Sequence, residues 1–123
     1  MTWAKPYCQS LARVFFWLVL AAVVVLSLTP VEHLPPQVFS IWDKAQHALA
    51  FLALSLLGLW AYSRQPRRVL TGLLLLGAAI ELAQAATGWR YGEWADLMAD
   101  AVGVLAGAWM WRWISGRRTL KTD

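Results

Sequence analysis

Cysteine is almost missing from this chain: Cys8 is the only one, so no disulfide can form within it, and pairing says nothing about the redox compartment. Charge is sparse as well, at 15% of residues, with acidic groups outnumbered by basic ones, 7 against 11. The resulting net charge of +4 invites a nucleic-acid reading, but no basic face interleaved with aromatics is present to support one. Neither H-E-x-x-H nor G-x-S-x-G occurs, so two common hydrolase signatures are absent. At 123 residues the chain is too short for two ordinary domains and reads as a single domain over 1–123.

What the sequence has in abundance is apolar side chains. Hydrophobic residues make up 59%, against roughly 45–50% in soluble domains. They fall into four runs, about 12–31, 45–63, 69–87 and 97–114. Each is close to the ~20 residues that cross ~30 Å of hydrocarbon as a helix. A helix satisfies its own backbone in lipid, so four transmembrane helices are expected: an all-α, four-helix transmembrane bundle. Thr29-Pro30 ends the first run, Pro35-Pro36 keeps the following loop from being helical, and Arg64-Gln65-Pro66-Arg67-Arg68 makes a short turn after the second. Most of the nine tryptophans fall at run ends, as interfacial belts do. The first run has no A-x-A cleavage site and is long for a signal peptide, so it is read as a retained span.

Orientation follows from the basic residues. Nine of the eleven lie near the N-terminus, in the 64–68 turn or near the C-terminus, leaving only Lys44 and Arg90 for the other two loops. Basic loops stay in the cytoplasm, so both termini are expected there, with the loops at 29–44 and 87–96 facing outward.

The remaining polar residues cluster near the outward ends. Asp43 and His47 are four apart, as are Asp96 and Asp100, so each pair shares a helix face and spans ~6 Å of depth. Glu81 and Gln84 share a face of the third run, with Glu81 ~9 Å below its outer end. His47, Glu81 and Asp100 are thus expected at similar depth on three helices, with Lys44 beside them and Arg90 able to reach over from the loop. Singly these residues have bland roles: Asp43 and Asp96 as helix N-caps, Lys44 snorkelling to the interface, His47 as a structural histidine. A charge at bilayer depth costs roughly 2.5–3.5 kcal/mol on insertion scales, so several at matched depth point to one shared site. Small residues indicate the packing faces: Gly103 and Gly107 on the fourth run, and Ala79, Ala83 and Ala86 on the third.

These residues also carry a resemblance. Asp43-Lys44-x-x-His47-x-x-x-Phe51 resembles the D-K-x-x-H-x-x-x-F/Y motif of the VanZ-like family. Glu81-x-x-Gln84, followed by Arg90 in the loop, is similar to that family's E-x-x-Q and loop arginine. Asp96-x-x-x-Asp100-x-x-Gly103-x-x-x-Gly107 resembles its D-x-x-x-N/D-x-x-G-x-x-x-G, with Asp100 standing where many members carry asparagine. The motifs keep the family's order over residues 43–107. The resemblance implies a small multi-pass protein of the bacterial inner membrane, from a family whose namesake is linked to teicoplanin resistance.

Several functions fit this pattern. In the first, Asp43, Lys44, His47, Glu81, Gln84, Arg90, Asp96 and Asp100 bind membrane lipid or a lipid-linked envelope precursor, with Lys44, His47 and Arg90 meeting phosphate. In the second, an intramembrane enzyme acts on a phospholipid or lipid carrier through His47, Glu81 and Asp100, with or without a metal. No cofactor is named by the pattern. An ion pathway lacks polar steps across the inner halves of the runs, where Ser55 and Thr71 stand nearly alone. A purely stabilising polar cluster is the fourth reading.

Overall fold

The computed structural model describes residues 6–30, 41–88 and 93–119, and the side chains of 41–43, 118 and 119 fall outside that description. It contains four helices: α1 (Pro6–Leu28), α2 (Ile41–Ala61), α3 (Pro66–Thr87) and α4 (Trp94–Thr119). Their ends follow local chemistry. The Thr29 hydroxyl donates to the Val25 carbonyl at 2.6 Å, satisfying a group left open at the end of α1, and Pro30 cannot continue the helix. Pro66 opens α3, where a missing N–H costs no bond, and Gly88 closes it in the left-handed region at φ 75°. α4 runs past the expected end at 114 to Thr119. Its last turns are covered by the Arg117 guanidinium, 3.6 Å above the Trp113 ring one turn back.

Among the described residues three helices are long and apolar enough to cross a membrane: α1, α2 from Lys44 onward, and α3. The chain is therefore a multi-pass membrane protein. α4 is the longest at 26 residues but more polar, since Asp96, Asp100, Arg112 and Arg117 lie along it. Its aspartates are buried, at 4% and 2% exposure, so the helix turns them toward its neighbours.

α2 and α4 run in the same direction, and α1 and α3 run opposite to them. The parallel pair is in steady register: Lys44 meets Asp96, His47 meets Asp100, and the buried Ser55 hydroxyl donates to the Val104 carbonyl at 3.0 Å. Gly103 and Gly107 permit this approach. A Cβ on Gly103 would collide with the Ala48 carbonyl oxygen, and one on Gly107 would lie 2.6 Å from Ser55 Cβ. Apolar burial does not drive helices together in lipid, so such close packing and interhelical hydrogen bonds carry the association.

The expected small-residue face of α3 is not the packed one. Ala79 and Ala86 are exposed and Ala83 is half-buried, whereas Leu73, Gly77, Ile80 and Gln84 are buried. The rotation is set by Gly77, which fits against Asp100 of α4. At the far end, Arg13 donates to the Ala61 carbonyl at 3.3 Å and Trp17 donates to the Tyr62 hydroxyl at 2.9 Å. This end also carries Arg64, Arg67 and Arg68, and it is called the basic end below.

Candidate functional site

The polar residues gather at the opposite end, where α2, α3 and α4 meet. α4 begins there with Glu93 as its cap: the Glu93 carbonyl accepts from the Asp96 and Leu97 amides at 3.0 and 3.3 Å. The Glu93 N–H in turn donates to Glu81 Oε2 at 2.8 Å. The Glu81 carboxyl group is thereby held at the start of α4, where the helix dipole favours negative charge. Asp96, in the first turn of α4, enjoys the same field.

Two layers follow. In the outer layer Lys44 Nζ donates to Glu93 Oε2 at 2.9 Å and to Asp96 Oδ1 at 3.4 Å. Lys44 and Glu93 are substantially exposed, while the Asp96 side chain is only 5% exposed. One helical turn deeper, His47 Nδ1 and Asp100 Oδ1 lie at hydrogen-bond distance, 3.0 Å, both side chains being buried. Glu81 joins this inner layer: one ligand-type atom from each of His47, Glu81 and Asp100 falls within 4.8 Å of the others. Those three side chains can hold a cation together.

Among the described residues, three buried oxygen atoms of this region find no hydrogen-bond partner: Glu81 Oε1, Asp100 Oδ2 and Gln84 Oε1. Leaving a buried acceptor unpaired costs about 1–3 kcal/mol, and more for a charged one. Asp100 Oδ2 faces α3, since a Cβ on Gly77 would sit 3.2 Å from it. Between α3 and α4 a mostly apolar groove of about 340 Å³ opens beside the cluster. Ala78, Leu82, Ala85 and Leu97 line it, and Glu81 and Glu93 stand in its wall.

Of the residues expected here, Lys44, His47, Glu81, Asp96 and Asp100 come together. Gln84 points elsewhere. Fully buried, it donates through Nε2 to the Ser27 carbonyl at 2.8 Å and ties α3 to α1. The Asp43 side chain and Arg90 lie outside the described residues. Gly103 and Gly107 pack α4 on α2 within the chain, as expected of small residues in lipid. Glu93 is a participant that sequence reasoning passed over, although an acid three residues before Asp96 at a helix start was a usable signal.

No curated protein and no solved structure matches the chain. The sequence profile described as VanZ/LLP1 does match, over residues 9–115, a stretch that takes in parts of all four helices and the whole polar cluster. The chain is a multi-pass membrane protein that belongs to the VanZ/LLP1 family.

Proposed function

We propose that this protein binds a phosphate-bearing, lipid-linked component of the bacterial envelope at the outer face of the inner membrane. In this reading α4 is a fourth span, both termini are cytoplasmic, and the basic end faces inward under the positive-inside rule. The observation that carries it is the groove between α3 and α4. An apolar channel of about 340 Å³ runs beside Glu81 and Glu93, as an acyl or isoprenoid chain with a polar head requires. That volume lies in the lower part of the ~300–1,000 Å³ typical of ligand sites. Leu82 and Trp94, 74% and 83% exposed, present an apolar surface at its rim. Sequestering or remodelling such a component would alter susceptibility to a lipid-bearing glycopeptide such as teicoplanin.

Native mass spectrometry of the protein released from lipid nanodiscs tests this reading. Retention of a phosphate-bearing lipid is expected, with loss when Leu82→Trp fills the groove. Absence of any retained lipid would count against it. The alternative is an intramembrane enzyme acting on a phospholipid or lipid carrier, favoured by the buried His47–Asp100 pair next to Glu81, an arrangement suited to moving a proton. Turnover of a retained lipid during prolonged incubation, lost in His47→Gln, separates the two.

A further inference from the structure

The cluster is acidic where a phosphate is meant to bind. Among the described residues four carboxyl groups, Glu81, Glu93, Asp96 and Asp100, face a single ammonium, that of Lys44. Lys44 is already engaged by Glu93 and Asp96. The outer layer is therefore close to satisfied, and the two inner carboxyl groups are not. Glu81 and Asp100 each keep one buried oxygen with no hydrogen bond, and Asp100 is only 2% exposed. Two carboxyl groups and an imidazole at this spacing call for a cation between them.

We propose that His47, Glu81 and Asp100 form a binding site for one first-row divalent metal ion, of the zinc or manganese class. Their ligand atoms lie within 4.8 Å of one another. Ligands at about 2.0–2.2 Å from one ion lie no more than about 4.4 Å apart. A small side-chain rotation of the half-buried Glu81 closes that difference. The hydrogen bond from the Glu93 amide occupies Oε2 of Glu81 and leaves Oε1 for the metal. Gly77, with no side chain, lets Asp100 Oδ2 approach α3, where a Cβ would sit 3.2 Å from it. Asp96 stands outside this group of ligand atoms and meets Lys44 instead.

The donor set selects the metal. One imidazole with two carboxylates, and no thiolate, suits zinc or manganese; calcium takes six to eight oxygen ligands, more than these side chains supply. Cys8 is exposed on α1 toward the basic end and cannot contribute. Three protein ligands leave coordination positions open beside the groove, where the metal bridges the acidic cluster to a lipid phosphate. That bridging role rests on the lipid-binding reading above; the metal site itself does not.

The test uses the full chain with a non-histidine affinity tag in nanodiscs, stripped with EDTA and titrated separately with zinc and manganese. Elemental analysis after gel filtration should find about one ion per chain, and bound metal should raise the melting temperature. Glu81→Gln and Asp100→Asn should each weaken binding by at least about tenfold, whereas Cys8→Ser should bind as the wild type does. Failure of the stripped wild-type protein to take up either metal overturns the proposal even if the variants misfold, and so does equal binding by folded Glu81→Gln and Asp100→Asn. Lipid retention measured on the same samples keeps the two readings apart. Metal bound without any lipid retained removes the lipid reading and leaves the metal site standing. Lipid retained with no metal bound does the reverse.

Discussion

His47 of α2 and Asp100 of α4 lie 3.0 Å apart, Nδ1 to Oδ1, across two helices that are not neighbours in the chain. Their coupling should be measurable. Breaking a buried ion pair in a soluble protein typically costs about 3–5 kcal/mol, but polar contacts between membrane helices average nearer 0.6 and reach about 1.7. The membrane figure governs here, because the separated helices still find other polar partners. A double-mutant cycle with His47→Ala and Asp100→Ala, read by reversible unfolding in detergent, should give a coupling within that lower range. A coupling of zero would mean that the pair does not hold α2 to α4.

Gly103 should tolerate nothing larger. A Cβ there meets the backbone of α2 at Ala48, which cannot swing away as a side chain would. Gly103→Ala is expected to cost about 1–3 kcal/mol and to push α2 from α4. Gly72→Ala is the matched control, with open space around the added methyl and a helix-propensity gain of about 0.5–1 kcal/mol. Thermal unfolding of the two variants should move in opposite directions.

Gln84 should behave as a strut and not as a ligand. Its amide nitrogen holds the Ser27 carbonyl at the end of α1. Gln84→Leu should cost about 1 kcal/mol through that lost hydrogen bond while leaving metal uptake unchanged. A tenfold loss of metal affinity in a folded Gln84→Leu protein would move this side chain into the site.

Charge exchange should test the outer layer. Lys44→Glu alone places a fifth carboxylate among Glu81, Glu93, Asp96 and Asp100 and should abolish lipid retention. Combining it with Glu93→Lys restores an ion pair at the same place and should recover part of the retention. No recovery would show that the position of the ammonium matters beyond the balance of charge.

Orientation is open to direct labelling. In a Cys8→Ser background, Glu93→Cys should react with a membrane-impermeant maleimide from outside the inner membrane, and Arg67→Cys only after the membrane is opened. Reversed labelling would place the polar cluster on the cytoplasmic face.

Much of this arrangement was legible in the residues. Apolar length located four helices, and the spacing of four in Asp96/Asp100 put two acids on the stripe that faces Lys44 and His47 of α2. Periodicity, however, says which residues share a face and not which neighbour that face meets. Hence the alanines of α3 looked like its contact surface, whereas Gly77 decides the rotation by admitting Asp100. Gln84 likewise shares a helix face with Glu81 yet reaches α1, a choice made by the open carbonyl of Ser27. The end of α4 lay beyond the expected 114 because the apolar run stops there, while the helix continues to Thr119 with Arg117 stacked on Trp113.

The parallel pairing of α2 with α4 sets an order of events during synthesis. Lys44, His47 and Ser55 enter the bilayer on α2 while the residues that will pair with them, 49 to 53 positions later, are still being made. Until α4 arrives, α2 is a segment whose polar groups lack their final partners. A chain truncated after Thr87 keeps all three of the most apolar helices, with Lys44, His47 and Glu81, yet lacks Glu93, Asp96 and Asp100, and it exposes just the kind of polar surface that membrane quality control removes.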